Sequence, residues 1–159
     1  MLAGISTIGI KLGWVAENVA GTRPTSGYKQ LHRINSIGEI TTSRETIDAS
    51  ALEDDTERTI GGRGASGGSM DIVVNCTDET RAEWKEVIST YEGLSGGKRL
   101  WFVIWNPDES ESVFVSLQPP LKIPSPARDQ NGLQTVTMAM AIEEYHGYDT
   151  AVEPTETGA

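Results

Sequence analysis

Residues 100–105, LWFVIW, are apolar at every position. Their aromatic and β-branched side chains favour a β-strand, and a strand that is apolar on both faces must be covered on both faces. One helix can cover only one of these faces. The stretch therefore predicts a buried strand with a helix on one side and a second sheet or another subunit on the other.

A single amphipathic helix is predicted just upstream of this strand, from Thr77 to Gly93. Thr77 or Asp78 can cap its N-terminus, and Gly93 can end it in the left-handed conformation. The large apolar residues of the helix recur at spacings of three and four, which places them on one face, toward the core. They are Trp84, Val87, Ile88 and Tyr91.

Four more segments alternate between apolar and polar residues, which is the period of a half-buried strand. They are residues 5–15, 69–76, 113–117 and 133–144. In the last of these the second face is small and polar, so that face is either solvated or closely apposed to another surface. The sequence therefore predicts a mainly β fold of the α+β class, a β-sandwich or barrel-forming sheet with one flanking α-helix.

Residues 39–69, EITTSRETIDASALEDDTERTIGGRGASGGS, interrupt this pattern as a long protruding loop, acidic in its first half and glycine-rich in its second. A segment of this kind inside a small domain is disordered, an active-site lid, or an arm meant for another chain. Ile47, Leu52 and Ile60 are spaced regularly among the acids, which is unusual for a segment that never packs. The arm is the favoured interpretation.

Two motifs in the glycine run match enzyme patterns without the required context. Residues 64–68, GASGG, match G-x-S-x-G, and Gly62, Gly64 and Gly67 match the dinucleotide-binding pattern. Both patterns need a helix directly after the glycines, whereas a strand is predicted there. Two distant His residues and one Cys show no metal-binding spacing. We therefore expect no catalytic, cofactor or metal site, and no enzymatic activity.

The chain has 159 residues, enough for one domain, and a formal net charge of −10. This charge argues against nucleic acid as a bound partner, because no basic surface is available for the phosphates. Cys76 has no partner for an intrachain disulfide, and no apolar run reaches the ~20 residues of a membrane-inserted helix. Residues 149–159 are predicted to form a flexible acidic tail, which leaves residues 1–148 as the domain.

The order of these features resembles the major tail tube proteins of long-tailed (siphovirus-type) bacteriophages, over nearly the whole chain. The resemblance is carried by the N-terminal β-segment through Trp14 and by SMDIVVN, TRAEWKEVISTYEG, LWFVIWNPD and QTVTMAMAIE further along. Within ETIDASALEDDTERTIGG, the family's pattern of acids and apolar residues running into an Ile-Gly turn is matched residue by residue. The matching positions are Glu45, Ile47, Asp48, Leu52, Asp54, Ile60 and Gly61.

This resemblance implies a virion structural protein, a tail tube subunit that forms hexameric rings. The rings stack into a hollow tube for DNA delivery, with a continuous β-barrel as its inner wall, and residues 45–60 act as an inter-ring arm. It implies a tape-measure protein and a tail terminator as partners, and DNA that passes through the lumen without specific binding. The subunit would be assembled in the bacterial host cytoplasm and end in the virion tail.

Other interpretations stay open on the sequence alone. A tail terminator or another head–tail joining protein would make one ring and stop, and the tube of a contractile tail is a nearby option. A carbohydrate-binding β-sandwich is an alternative of a different class, with Trp101 and Trp105 as an aromatic platform. Open-ended polymerisation distinguishes the tube from both the single ring and the monomer.

Overall fold

The computed structural model describes residues 3–66 and 68–158. Nine strands and one helix follow each other along the chain in this part. They are β1 (Lys11–Ala16), β2 (Lys29–Leu31), β3 (Ile34–Ile37), β4 (Thr42–Asp48), β5 (Thr59–Ser66), β6 (Ser69–Asn75), α1 (Asp78–Glu92), β7 (Leu100–Trp105), β8 (Glu111–Gln118) and β9 (Thr135–Thr150). No helix in this described part is long and apolar enough to cross a lipid bilayer.

Seven of these strands form one antiparallel sheet in the order β2-β1-β7-β8-β9-β6-β3, while β4 and β5 pair separately as a hairpin. The sheet is open within the described chain, with β2 and β3 at its two edges. Apolar residues from distant strands nevertheless meet in one core, where Leu12 of β1 and Ile72 of β6 join Trp84 of α1. The predicted mainly β fold with one flanking helix is confirmed.

Helix α1 is capped as its sequence suggests at the N-terminus but not at the C-terminus. The Thr77 hydroxyl accepts a hydrogen bond from the Thr80 amide at 3.2 Å, and the Thr80 hydroxyl accepts one from the Thr77 amide at 2.9 Å. Gly93 has a φ of −81°, so the expected left-handed ending is wrong. On the apolar stripe, Trp84, Val87 and Ile88 are buried and Tyr91 is half-buried.

Strand β7 is buried on both faces, but not by the elements expected to cover its second face. Leu100 and Phe102 enter the main core with α1. Trp101 and Val103 point the other way into a smaller cluster formed by the same chain. Its other members are Tyr28, Phe114, Val15 and Val152. The loop before β2 and the segment after β9 therefore cover this face, without a second sheet or a neighbouring subunit.

The loop that supplies Tyr28 is held by a buried carboxylate. Glu17 accepts hydrogen bonds from Trp101 Nε1 at 2.8 Å, the Arg99 amide at 2.8 Å and the Gly21 amide at 3.2 Å. Burial acts to raise the pKa of Glu17, but these bonds and that from the Arg99 side chain outweigh it and hold the pKa below its usual value. An ionised Glu17 therefore joins β1, β7 and the loop.

The residues after β9 lie back on the domain, whereas the sequence predicts a flexible tail from residue 149. The Thr155 amide donates to the Tyr28 carbonyl at 3.1 Å, and the Thr155 carbonyl accepts from the Gln30 amide at 2.8 Å. Pro154 is buried, and a Cβ placed on Gly13 would lie 2.4 Å from the Pro154 Cβ. The acidic composition of this segment gave no indication of its backbone hydrogen bonds beside β2 or of the buried Pro154.

The N-terminal strand is shorter than its alternating pattern predicts. Strand β1 begins at Lys11, because the chain turns at Gly9, where φ is +84°. Leu12 and Trp14 are buried as expected, but Ile8 is 81% exposed. The alternation of residues 5–10 therefore belongs to a segment outside the sheet.

Candidate assembly surfaces

The acidic stretch forms an exposed β-hairpin rather than a long irregular loop. Strands β4 and β5 pair antiparallel with one register shift between Arg44 and Thr46, and every residue of β4 is exposed. Arg44 packs closely over Gly61 beside this shift, since a Cβ on Gly61 would lie 2.7 Å from Arg44 Cδ and would displace that exposed side chain. The hairpin satisfies its own backbone hydrogen bonds, so it can protrude without support from the core.

Two of the acids organise the tip of the hairpin. Asp48 Oδ1 accepts from the Ser50 amide at 2.9 Å, and this bond lowers the pKa of Asp48. Asp54 Oδ2 accepts from the Ala51 amide at 2.8 Å, and Asp54 Oδ1 accepts from Arg58 Nε at 3.0 Å. These two predicted interface residues therefore bond within the tip in this structure.

Three apolar side chains of the hairpin are exposed. Ile47 lies directly opposite Ile60 in the β4–β5 register, so the two share one face, and they are 51% and 56% exposed. Leu52, at the tip, is fully exposed. Glu45, the remaining predicted interface residue, is exposed on β4. Clustered exposed apolar residues on a protruding element are typical of a protein-binding site.

A second surface lies on the sheet face opposite the core. On β9, Val136, Met138 and Met140 are buried, while the alternate residues Thr137, Ala139 and Ala141 are exposed. Their cross-strand partners on β6 continue this polar face, and they are Val73, Asp71 and Ser69. The side chains are small enough for close approach of another surface, and Asp71 adds a negative charge to the face. We call this surface the outer sheet face.

A third feature is the sheet edge at β3. Strand β3 pairs with β6 on one side, and no described strand pairs with its other side. At the opposite edge, β2 pairs through Lys29 with Thr155. An open strand edge presents free amides and carbonyls that can pair with another chain. The β3 edge is therefore available for a strand of a second copy.

The structure also bears on the sugar-binding platform, the G-x-S-x-G motif and a metal site. Trp101 is only 1% exposed and donates to Glu17, so it cannot offer its ring to a sugar, although Trp105 is half-buried with Lys11 Nζ 5.4 Å from its ring centre. Ser66 of the G-x-S-x-G match ends β5, and Gly67 lies outside the described residues. Among the described residues, no group of three His, Cys, Asp or Glu side chains is placed to hold a metal.

No protein-family model matches this sequence, and neither does any curated protein. Solved structures do match its fold. A chain from the C6-symmetric tail of an empty gene transfer agent (GTA) particle is 19% identical, with a TM-score of 0.53 over 90% of this chain and 94% of its own. The SPP1 tail tube gives 10% identity and a TM-score of 0.57, over 94% of this chain and 81% of its own.

A third match comes from the sheath–tube complex of PVC, an extracellular contractile injection system, in its extended state. It is 11% identical, with a TM-score of 0.58 over 94% of this chain and 93% of the matched chain. The similarity spans nearly the whole length in all three cases, while the identities are low. The chain therefore has the fold of proteins from a phage tail tube, a GTA tail and a contractile injection system.

Proposed function

We propose that this protein is the subunit of a phage-type tail tube, whose copies form hexameric rings that stack into a hollow conduit for DNA delivery. The observation that carries the proposal is the exposed β4–β5 hairpin on a domain with the tail tube fold. Its apolar residues are exposed in the isolated subunit and need a partner. The C6 symmetry of the GTA tail supports six subunits in each ring.

The hairpin is the inter-ring arm in this proposal. Ile47, Leu52 and Ile60 become buried against the neighbouring ring, while Glu45, Asp48 and Asp54 shape or flank the contact. Complete burial of a large aliphatic side chain is worth roughly 1.5–3 kcal/mol relative to full exposure. Since Ile47 and Ile60 are already about half covered, each contributes less than that, and Leu52 contributes most.

The sheet supplies the tube wall in this proposal. The β3 edge of each copy pairs with a neighbour in the ring, which closes the open sheets into one continuous barrel. The outer sheet face then lines the lumen. Its small residues and the Asp71 carboxylate let DNA slide past, because like charges disfavour adhesion. The tape-measure protein and tail terminator are the further partners, with assembly in the host cytoplasm and a final location in the virion tail.

Removal of the arm tests this function. Replacing residues 46–59 by a short Gly-Ser linker should leave a folded subunit, because the hairpin satisfies its own hydrogen bonds and packs little against the core. Circular dichroism should show the wild-type fold, and negative-stain electron microscopy should show tubes for the wild type and none for the variant. Normal tubes from the variant would contradict the arm. Single rings from the wild type at every concentration would identify a terminator-like protein instead.

A further inference from the structure

A groove of about 490 Å³ lies between α1 and the proline-rich segment that precedes β9, residues 119–126 (PPLKIPSP). Ile88, Ile123 and Pro124 form part of its apolar lining, beside Cys76. Leu121, which also lines it, is 86% exposed in the isolated subunit. Pockets of roughly 300–1,000 Å³ enclose ligands of drug-like size, so this groove can receive a large side chain together with part of its turn.

The rim of the groove is basic, which is unusual in a chain of net charge −10. Four bases and one acid line it, and they are Arg81, Lys85, Lys122, Arg128 and Glu92. Arg81 is paired with Asp78 of its own helix. Lys85, Lys122 and Arg128 form no salt bridge with any residue that the structure describes. The groove therefore combines an apolar floor with positive charge that lacks a carboxylate partner within the described subunit.

We propose that this groove receives the hairpin tip, residues 48–58, of a second copy of the chain. The tip carries five acids and one base, so its charge is opposite to that of the groove. Asp48 and Asp54 are engaged within the tip. Three further carboxylates remain free to meet the basic rim, and they belong to Glu53, Asp55 and Glu57.

Leu52 supplies the apolar part of the contact. It is fully exposed at the tip, and the turn-forming bonds of Asp54 hold it on a defined turn. Insertion of Leu52 between Ile88 and Leu121 would bury two exposed apolar side chains at once. The docking rests on the proposed tube function, and it adds the receiving surface for the arm on the neighbouring subunit.

A charge exchange tests the electrostatic part of this contact. Lys85→Glu with Lys122→Glu should reduce tube yield about tenfold or more, because like charges would then face each other. Adding Glu53→Lys and Asp55→Lys in the same chain should restore tubes, since the pairing is reversed but complementary. Lys98→Glu changes an exposed lysine outside the groove and serves as the matched control. It should assemble as the wild type does.

A cross-link tests the location directly. Thr56→Cys places a thiol at an exposed tip position that the docking does not use, and Cys76 is already in the groove. With a short bismaleimide, tubes of Thr56→Cys should give a ladder of covalent species beyond the dimer on denaturing gels. Thr56→Cys with Cys76→Ser should give dimers at most, because each chain then has one thiol. The triple variant Thr56→Cys, Cys76→Ser and Lys85→Cys should restore the ladder, because Lys85 is an exposed groove position.

The outcomes separate this inference from the proposed function. If the unmodified protein forms no tubes, the tube function and the docking both fail. The docking alone is overturned if the unmodified protein forms tubes but two results are negative. These are an unchanged tube yield for Lys85→Glu with Lys122→Glu, and no ladder from either groove thiol, Cys76 or Lys85→Cys. Loss of tubes that the arm substitutions do not rescue, in a variant with the wild-type circular dichroism spectrum, also overturns the docking.

Discussion

His32 joins three parts of the chain through one imidazole ring. Its Nδ1 lies 2.6 Å from Glu83 Oε2 on α1, and its Nε2 lies 2.8 Å from Glu156 Oε1 in the C-terminal segment. The hydrogen bond with Glu83, followed by that with Glu156, raises the pKa of His32 above its ordinary value. A protonated imidazole donates from both nitrogens, so the ring links helix and C-terminal segment best when it is charged.

The sign of the resulting pH dependence follows from the raised pKa. The contribution of His32 is complete below the unfolded pKa of about 6.5 and is lost as pH rises through the higher folded value. Urea denaturation from about pH 5.5 to 8.5 should therefore show a stability loss in the wild type that His32→Gln lacks. His146→Gln, which replaces the other histidine, should retain it. Equal slopes for His32→Gln and the wild type would contradict this role.

At the scale of elements, the close packing of Gly13 on Pro154 ties the C-terminal segment to β1. Gly13→Ala would place a methyl group into Pro154, and such overpacking costs typically 1–3 kcal/mol. We expect a loss of about this size in urea denaturation, together with faster cleavage at Glu156 by a glutamate-specific protease. Gly4→Ala, where a Cβ meets nothing within 4 Å, is the control. Unchanged cleavage in Gly13→Ala would show that the segment is not docked.

The elements also differ in how far the sequence could predict them. Helix α1 and the buried stripe of Trp84 could be predicted, because periodicity and capping are local signals. The C-terminal segment could not, since Thr155 bonds to Tyr28, a residue far away in the chain. The β4–β5 hairpin lies between these cases. The sequence indicated an exposed segment, and its contact with a partner through Ile47, Leu52 and Ile60 stays a prediction. The direct pairing of Ile47 with Ile60 could not be predicted, because the sequence does not display the register of the hairpin.

Sequence reasoning missed the basic groove altogether. Lys85 lies on α1 and Lys122 in the proline-rich segment, and neither position carries a motif. Their meeting is a consequence of how that segment packs on the helix. The sequence did contain a weak signal for a basic site. Bases are fewer than acids in this chain, yet Lys122 and Arg128 lie close together on either side of Pro124 and Pro126.

At the scale of the whole molecule, the proposed tube turns the outer sheet face, with Asp71, toward the lumen. Asp71→Lys should allow tubes to form while making them retain a short fluorescent DNA in a pelleting assay at low salt. The retention should fall as salt rises, because phosphate contacts release counterions. Glu79→Lys, on α1 at the other side of the sheet, is the matched control. Equal retention by both variants would contradict a lumen lined by the outer sheet face.

The docked C-terminal segment has a further consequence for the free subunit. A sheet with two open edges can add strands without limit, which leads to fibrous aggregates. Here the short β2 edge is partly occupied by the chain's own Thr155, so pairing is favoured at β3 alone. The segment therefore obstructs strand addition at the β2 edge. In the proposed tube, we expect the β3 edge to pair with the neighbouring copy.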